Sequence, residues 1–564
     1  MDVRAGLVVA NRHHLTRGRG DPAIFIFFLR WVPFALEHGR DLLVTHHLNY
    51  PDGVNLMWNT SLPLPGLLFA PVTLIWGPVL TFNVLLVLAY SLSSWCAYLA
   101  IRRFVPGHLA PAVGGLVYGF SPAIRSQGSH LHMSLAFLVP LMLLALHEIL
   151  VRQRRSPWLA GAALGLLAGC QLLIGEELLA MTTLLGFAMC LLLVLGNLRR
   201  VRSRVSHTLK AFGVALVVFA AVAAWPLTVQ FTGAQRIHGD VNENIPRHTN
   251  DLYGFVVPNP QPKVAPAGVV QQMAKFSGGP AYLGLPLVGV LVVLAVRWRS
   301  NAVVRVGLAL LVVAAVLSMG PSLRIGGRDT GLWLPWAFLQ SLPLLDSMIP
   351  NRLAVLTALF AGLLVALFLH AVWRRDGWWR VVAVAVGLAV LAALWPARSV
   401  PAQKVGTPAF FTGAAVRTLP RDGVSLVVPF PYRGSAAPMT WQAEADMWFH
   451  MPGGYFIGPQ PNGRPRFDAP PTSTSLTLPR ILNGRPPPKL TGPRRRALAR
   501  DFVRWRVSSV IVGPMPNQAT MVSFLTDLLG REPEQVAGVY LWRNPVVRLT
   551  DPTRRARPET KPAK

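Results

Sequence analysis

The sequence is poor in charge, and in acidic residues above all. Only 14% of its 564 residues are charged, against roughly 25% in soluble proteins, and 24 acidic residues stand against 54 basic ones. Hydrophobic residues make up 52% of the chain, and the mean hydropathy is +0.42, spread over many separate apolar runs. This composition excludes a soluble enzyme and indicates a helical protein that crosses the membrane several times.

Cysteine and nucleotide-binding motifs are scarce as well. The three cysteines lie inside apolar runs, which argues against a disulfide framework. The sequence contains no Walker motif, no glycine-rich phosphate loop and no Cys/His metal spacing. An ATP-driven transporter is therefore disfavoured.

Basic residues are abundant, and the net charge of +30 would suggest nucleic acid in a soluble protein. Here the arginine clusters border the ends of apolar runs, as the positive-inside bias requires, at 102–103, 152–155, 199–204, 297–305 and 374–375. We therefore interpret them as topology signals and expect no nucleic-acid partner.

The apolar runs predict about ten transmembrane helices, at about 20 residues for each span. With the arginine clusters inside, the segments 121–132, 175–177, 232–280 and 320–351 and everything from 398 onward lie outside the cytoplasm. The predicted helices are 78–101, 108–122, 133–151, 158–174, 178–197, 210–231, 281–297, 302–319, 352–373 and 380–397.

The same alternation places residues 21–77 outside. An external segment normally follows a membrane helix, and the apolar run within residues 1–20 is too short to cross a membrane. We therefore expect that a first helix is missing from this chain. The predicted domains are an N-terminal segment (1–77), a transmembrane domain (78–397), an extracytoplasmic domain (398–550) and a disordered basic tail (551–564).

The region 398–550 has the pattern of a small α/β domain. Runs rich in β-branched residues predict strands at 424–430, 507–512 and 536–542, and helical periodicity predicts helices at 494–506 and 518–529. The Pro/Gly-rich stretch 459–493 is predicted to be a long loop. The fold class is thus mainly α, a polytopic membrane domain joined to an extracytoplasmic α/β domain.

Asp21 is the first candidate for chemistry. It stands in Gly20-Asp21-Pro22, before an apolar aromatic helix at 24–31 that we expect to lie along the membrane surface. Asp21 can be a helix N-cap, with the proline at the first helical position, and it can be a catalytic acid; the two interpretations are compatible.

A second candidate is the polar turn at 49–59. Pro-Asp-Gly is a turn signature. Asp52, Asn55 and the flanking aromatic rings could hold a sugar, and the alternative is a tight external turn without a ligand.

Four further polar residues lie at predicted helix ends. His130 and His132 are two positions apart and could contact substrate or a metal, although a lone His-x-His lacks further zinc ligands; the alternative is interfacial capping. Glu176 and Glu177 join two apolar runs at the outer surface, where adjacent acids are costly unless they meet a cation, a metal or water. The alternative is an N-terminal helix position that favours negative charge.

Arg352 begins the ninth predicted helix on the outer side, against the positive-inside bias. An exposed guanidinium there suits a lipid phosphate, and the alternative is snorkelling to the headgroups. The series Trp441, Trp448, Phe449, Tyr455 and Phe456 could grip carbohydrate, but we interpret it as the core of the exported domain.

This arrangement resembles the GT-C superfamily of membrane glycosyltransferases. The resemblance rests on the topology, on Gly20-Asp21-Pro22 with its aromatic helix, on Tyr118-Gly119-Phe120-Ser121-Pro122 and on Ile349-Pro350-Asn351-Arg352. It departs from the family in lacking a first helix and in having one acid at Asp21 where several members have a pair.

The resemblance implies transfer of a sugar from a polyprenyl-phosphate donor to a cell-envelope acceptor, a glycan, lipid or protein, with inversion. Asp21 would be the general base, the acids and histidines would orient the acceptor or a divalent ion (Mg²⁺ or Mn²⁺), and Arg352 would offset charge on the departing phosphate. Two other classes stay open: a lipid or polysaccharide transporter, and a non-catalytic membrane scaffold for envelope assembly.

Overall fold

The computed structural model describes most of the chain and divides it into two compact units. The first unit comprises Phe82–Thr228 with the described part of Asp240–Ala402, and the second comprises Val229–Gly239 with the described parts of Ala10–Thr81 and Gln403–Lys564. The described residues are 14–15, 20–196, 198–239, 248–257, 280–342, 345–395, 403–404 and 406–547. The predicted tail at 551–564 lies outside them.

Helices make up most of the described structure, so the chain is mainly α, as predicted. In chain order they are α1 Asp21–Glu37, α2 Pro63–Leu68, α3 Ala70–Trp76, α4 Pro78–Ile101, α5 Leu109–Gly119, α6 Pro122–Ser126, α7 Leu131–Ser134, α8 Leu138–His147, α9 Pro157–Leu172, α10 Glu176–Gly196, α11 Leu198–Thr232, α12 Leu285–Arg297, α13 Ala302–Ser318, α14 Trp336–Leu339, α15 Ala354–Trp373, α16 Trp379–Ala393, α17 Ala409–Thr412, α18 Ala437–Glu444, α19 Ser473–Leu482, α20 Gly492–Trp505 and α21 Gln518–Leu529.

Strands are short and few by comparison. They are β1 His14–Leu15, β2 Val44–Thr45, β3 Val54–Asn55, β4 Ser322–Ile325, β5 Arg328–Trp333, β6 Gln403–Lys404, β7 Val424–Val428, β8 Ile457–Pro459, β9 Pro465–Phe467, β10 Val507–Val512, β11 Glu534–Val536 and β12 Val539–Arg543.

The first unit is a bundle of apolar helices. Four described helical stretches are long and apolar enough to cross a membrane: Pro78–Ile101, Glu176–Gly196, Arg202–Thr232 and Pro350–Trp373. Four shorter apolar helices accompany them, namely α9, α12, α13 and α16. Within its most apolar window, Pro350–Trp373 is 78% buried and Arg202–Thr232 is 17% buried, so the former is central to the bundle and the latter peripheral.

Small residues bring α9 and α11 into close contact. Gly161 and Gly165 are four positions apart on one face of α9, and each faces a backbone carbonyl of α11. A Cβ at Gly161 would lie 2.2 Å from the oxygen of Ala211, and one at Gly165 would lie 2.4 Å from the oxygen of Ala215. Small residues at this spacing let helix backbones approach closely in membranes, where packing contributes much of the association energy.

The second unit contains a four-stranded mixed sheet of order β11-β12-β10-β7. Strand β10 pairs in parallel with β7 and antiparallel with β12. Its core is formed by buried residues of the strands β7 and β10 and of the helices α19, α20 and α21, among them Leu426, Val510, Ile481, Phe502 and Phe524. The apolar faces of these amphipathic helices therefore pack on the sheet.

Helix α1 belongs to this second unit and is almost wholly buried in it. Ile26, Phe27 and Leu29 have no exposed surface. The buried Arg30 forms an ion pair with Asp446, which satisfies a charge that would be costly to bury alone. The helix is therefore longer than the predicted 24–31, and it packs in the core of this unit instead of lying along a membrane surface.

Two predictions for the C-terminal region are wrong in detail. The run 536–542 is two strands, β11 and β12, because the chain turns at Ala537 and Gly538, both with positive φ (45° and 85°). The stretch 459–493 begins at the last residue of β8 and contains strand β9, which pairs with β8, and helix α19, which Thr472 caps with a capping box. The predicted 507–512 and 518–529 coincide with β10 and α21.

The close α9–α11 contact predicts a stability effect. We expect Gly165→Ala to destabilise the protein by roughly 1–3 kcal/mol, because the added methyl meets a backbone oxygen that cannot move without separating the helices. Thermal unfolding in detergent measures the effect. Gly213→Ala on α11 is the control, since a Cβ there meets nothing within 4 Å. Equal melting temperatures for the two variants would contradict the close packing.

Candidate active site

Asp21 is the first residue of α1, and its carboxylate contacts a tyrosine from the far end of the chain. The hydroxyl of Tyr455 donates to Asp21 Oδ1 at 3.0 Å. Gly20, at φ 104°, occupies the N-cap position; it has no side chain to cap the helix, and its carbonyl accepts the N–H of Ala23 at 3.0 Å. The N-cap interpretation of Asp21 is therefore wrong, and a side chain 434 positions away holds this carboxylate.

Tyr455 was predicted as part of an aromatic core, and it is both buried and a polar contact. It is 8% exposed, and burial together with the negative charge of Asp21 raises the pKa of its hydroxyl. The hydroxyl therefore stays protonated and acts as a donor to the carboxylate. No local feature of the sequence indicates this role, because an aromatic residue in an apolar series looks the same whether or not its hydroxyl has a function.

Asp468 is a second carboxyl beside Tyr455 that the sequence did not single out. Its Oδ1 accepts the backbone N–H of Arg433 at 2.5 Å. Burial raises the pKa of Asp468 to about 6, and the hydrogen bond and the charges of Arg466 and Arg433 oppose that rise only in part. A carboxyl that changes charge near neutral pH thus acts electrostatically on Tyr455.

In the turn at 49–59, one of the residues that were predicted to bind a sugar has a structural role. Asn55 donates both amide hydrogens, to the carbonyls of Val229 and Ala234, and its Oδ1 accepts the N–H of Met57. Its side chain therefore anchors residues 229–234 and caps a short helix, which leaves it no donor for a sugar. Asp52 forms an ion pair with Arg504 at 2.9 Å, and both side chains are largely exposed.

In the first unit, Glu177 and Arg352 form a half-buried ion pair. One carboxylate oxygen of Glu177 accepts from the Arg352 guanidinium, and the other accepts the backbone N–H of Ile349 at 3.0 Å. The side chains are 17% and 12% exposed. Arg352 is thus neither the exposed guanidinium that the sequence predicted nor a cation without a partner.

His132 lies beside Gly175, two positions before Glu177. A Cβ at Gly175 would lie 3.2 Å from His132 Cβ, and burial lowers the pKa of this histidine well below its usual value, helped by the charges of Arg352 and His130. His130 and His132 have ring centroids 6.1 Å apart. Glu176 is the first residue of α10, where a negative charge suits the helix dipole. The first unit therefore brings His130, His132, Glu177 and Arg352 into one neighbourhood.

These two groups of residues have different chemical capacities. In the second unit, a carboxylate fixed by a tyrosine hydroxyl can take a proton from an incoming hydroxyl group. In the first unit, a carboxylate orients a guanidinium, and a neutral imidazole lies nearby. The guanidinium and the imidazole can both contact an anion such as a phosphate. In the part of the chain that the structure describes, neither group contains three clustered metal-ligating side chains.

Comparison with known sequences identifies a family but no activity. The model of a family described as "Domain of unknown function (DUF6311)" matches residues 7–347. No curated protein matches the chain by sequence.

Comparison with solved structures identifies the fold. The cryo-EM structure of the arabinofuranosyltransferase AftD from Mycobacteria matches with a TM-score of 0.54 and 16% identity, covering 97% of this chain and 40% of the other. A mutant of the same enzyme matches with a TM-score of 0.53 and 14% identity, covering 98% of this chain and 41% of the other. The chain thus spans about two fifths of the mycobacterial protein and shares its fold over that length.

A third structure resembles the chain over its whole length but more loosely. It is the apo form of ArnT from Cupriavidus metallidurans, with a TM-score of 0.47 and 13% identity, covering 96% of this chain and 97% of the other. A likeness at this TM-score adds nothing to the fold assignment.

The raised pKa of Asp468 predicts a pH-dependent stability. The folded protein holds this carboxyl at a pKa of about 6, which is above its value in the unfolded chain, so folding favours the protonated form. The free energy of unfolding therefore falls as the pH rises from about 4 to about 6. We expect Asp468→Asn, which keeps the acceptor for Arg433, to stabilise the protein by on the order of 1–2 kcal/mol at pH 8 and little at pH 4.

Melting temperatures at the two pH values measure this effect. The exposed Asp527 gives the matched control, Asp527→Asn. A gain for Asp468→Asn that is the same at both pH values would show that burial does not shift this carboxyl.

Proposed function

The chain belongs to the family described as Domain of unknown function (DUF6311), and on this premise we propose that it is an integral membrane glycosyltransferase. It moves a sugar from a polyprenyl-phosphate donor to an acceptor of the cell envelope, with inversion. The observation that carries this proposal is the Asp21 carboxylate, held by the Tyr455 hydroxyl at the start of a buried helix in a chain of GT-C fold.

In the proposed reaction Asp21 is the general base. The oxygen of an acceptor hydroxyl attacks the anomeric carbon of the donor sugar while its proton passes to the Asp21 carboxylate. The bond between the anomeric carbon and the phosphate oxygen breaks, and the electron pair leaves with the polyprenyl phosphate. Tyr455 contributes by fixing the orientation of the carboxylate, which reduces the freedom that the reacting groups must lose.

The first unit supplies the proposed phosphate contact. Arg352 is oriented by Glu177 and can share its guanidinium with a phosphate oxygen, which stabilises charge on the leaving group. Burial lowers the pKa of His132 and keeps it neutral, so His132 orients a ligand by hydrogen bonding without adding charge, and its neighbour His130 is proposed to contact the same ligand. Glu176 and Asp52 are the acidic groups proposed to contact the acceptor, whereas the hydrogen bonds of Asn55 exclude it from this role.

A divalent ion fits the residues around Asp21 only in part. Mg²⁺ and Mn²⁺ prefer oxygen ligands, and Asp21 offers a carboxylate. Its Oδ1, however, already accepts from Tyr455, and no cluster of three metal-ligating side chains includes Asp21 among the described residues. The proposed step therefore runs through the protein's own groups.

The proposal also includes the membrane arrangement. We propose about ten transmembrane helices, with the C-terminal α/β region and the segment 21–77 on the extracytoplasmic side. This side gives access to a sugar on a polyprenyl phosphate, and such a donor carries its own leaving group, so that no nucleotide is required.

Replacement of Asp21 tests the function directly. We expect Asp21→Asn to lower the transfer rate by about 10²–10⁴-fold, because the amide cannot accept the proton from the acceptor. The measurement is the release of free polyprenyl phosphate from a polyprenyl-phosphate-linked arabinofuranose, incubated with the purified chain and a cell-envelope extract. The arabinofuranose is chosen because AftD, of the same fold, is an arabinofuranosyltransferase.

Asp41→Asn is the matched control, since Asp41 lies in the loop after α1 and only accepts the N–H of Leu43. We expect this variant to transfer at the normal rate. Transfer by Asp21→Asn at the rate of the control would contradict the catalytic role of Asp21, whereas no transfer by the wild-type chain itself would favour a scaffold. Flipping of a labelled polyprenyl lipid in proteoliposomes, with no effect of Asp21→Asn, would favour a transporter.

A further inference from the structure

Two histidines and an aspartate of the second unit converge at a place that none of the roles above uses. His47 follows β2, Asp422 precedes β7, and His450 follows α18. One ligand atom from each lies within 4.8 Å of the others. His450 Nε2 is 3.7 Å from Asp422 Oδ1, and His47 Nε2 is 4.0 Å from the same oxygen.

The backbone around these side chains is fixed by hydrogen bonds. The N–H of Asp422 donates to the carbonyl of Trp448 at 3.0 Å, and the N–H of His450 donates to that of Gly423 at 2.9 Å. The N–H of Met451, next to His450, donates to the carbonyl of His47 at 2.9 Å. The three ligand positions are therefore set by the fold and not by flexible side chains alone.

The hydrogen bonds of His450 leave the correct nitrogen for a metal. Its Nδ1 lies 2.8 Å from the carbonyl oxygen of His46, to which it donates, so Nε2 carries the lone pair that faces Asp422. A backbone carbonyl that holds the second ring nitrogen is the usual partner of a metal-bound histidine. His47 Nε2 donates to the carbonyl oxygen of Met447 at 3.0 Å, so binding of a metal at this nitrogen would break that hydrogen bond and release its proton to solvent.

We propose that His47, Asp422 and His450 bind a transition-metal ion of the Zn²⁺ type, which fastens the loop after β2 to the start of β7. Ligand atoms around tetrahedral zinc are about 3.4 Å apart, so the two distances to Asp422 Oδ1, 3.7 and 4.0 Å, must shorten by a few tenths of an ångström, and the two histidine nitrogens already lie within 4.8 Å of each other. Two imidazoles and one carboxylate favour zinc over Mg²⁺ or Ca²⁺, which prefer oxygen alone.

The remaining features of the site set its access and charge. The side chain of Asp422 is 42% exposed, whereas those of His47 and His450 are 3% and 13% exposed, so water can supply the fourth ligand from the side of the carboxylate. Arg40 lies 3.5 Å from Oδ2, the other oxygen of Asp422, and leaves Oδ1 facing the histidines. Its side chain is 53% exposed, and its repulsion of a bound cation is therefore screened by water and salt.

The test is metal binding by the full-length chain in detergent, purified without a histidine tag and stripped with a chelator. We expect one Co²⁺ per chain with the visible bands of four-coordinate cobalt, one Zn²⁺ by elemental analysis, and a rise in melting temperature of at least about 3 °C with Zn²⁺. The His450→Ala and Asp422→Asn variants should lose at least about tenfold in affinity. Asp422→Asn keeps the shape of the side chain, and its melting temperature in chelator checks that it folds.

His46→Ala is the matched control, because His46 is the exposed neighbour of His47 and only its carbonyl, which alanine retains, takes part. This variant should bind the metal as the wild-type chain does. Wild-type protein that retains no Co²⁺ or Zn²⁺, or an equal loss in His46→Ala and His450→Ala, would overturn the proposal. The readouts do not depend on sugar transfer, so they stand or fall separately from the proposed function.

Discussion

Backbone hydrogen bonds between residues 47–50 and 451–453 are the constraint on which the candidate active site depends. The N–H of Met451 donates to His47, that of Tyr50 to Met451 and that of Asn49 to Gly453. Asn59 extends the pairing, since its side chain exchanges two hydrogen bonds with the backbone of Ile457. Tyr455 lies between these fixed points, and its hydroxyl reaches Asp21 for that reason. The same pairing sets His47 beside His450.

The sequence predicted correctly those strands and helices that depend mainly on the periodicity of neighbouring residues. The β-branched run 507–512 and the amphipathic stretch 518–529 carry their own periodicity, and β10 and α21 follow it residue for residue. The contacts of Asp21 with Tyr455 and of Glu177 with Arg352 join residues 434 and 175 positions apart. A single sequence contains no signal for such pairings, because either partner has a satisfactory alternative on its own: a helix start for Asp21, a core position for Tyr455.

Burial explains why the polar candidates differ from their sequence interpretation. Arg352 was expected to be exposed and ready for a phosphate, but a guanidinium that is 12% exposed requires a partner, which Glu177 provides. Asn55 was a candidate to contact a sugar, but its side chain is buried, and the two backbone carbonyls of Val229 and Ala234 satisfy its amide in place of water. In both cases the requirement to satisfy buried polar groups decides the role, and that requirement becomes visible only once the fold is known.

The account depends on Asp21 acting as a base that Tyr455 orients, and the kinetics of Tyr455→Phe test that dependence most directly. The hydrogen bond of a hydroxyl to a charged carboxylate contributes enough to predict a fall in kcat of about tenfold or more, with KM little changed. In the Asp21→Asn background the same replacement should cause no further loss, since the two side chains act as one unit. An unchanged kcat, or an equal loss in both backgrounds, would contradict the account.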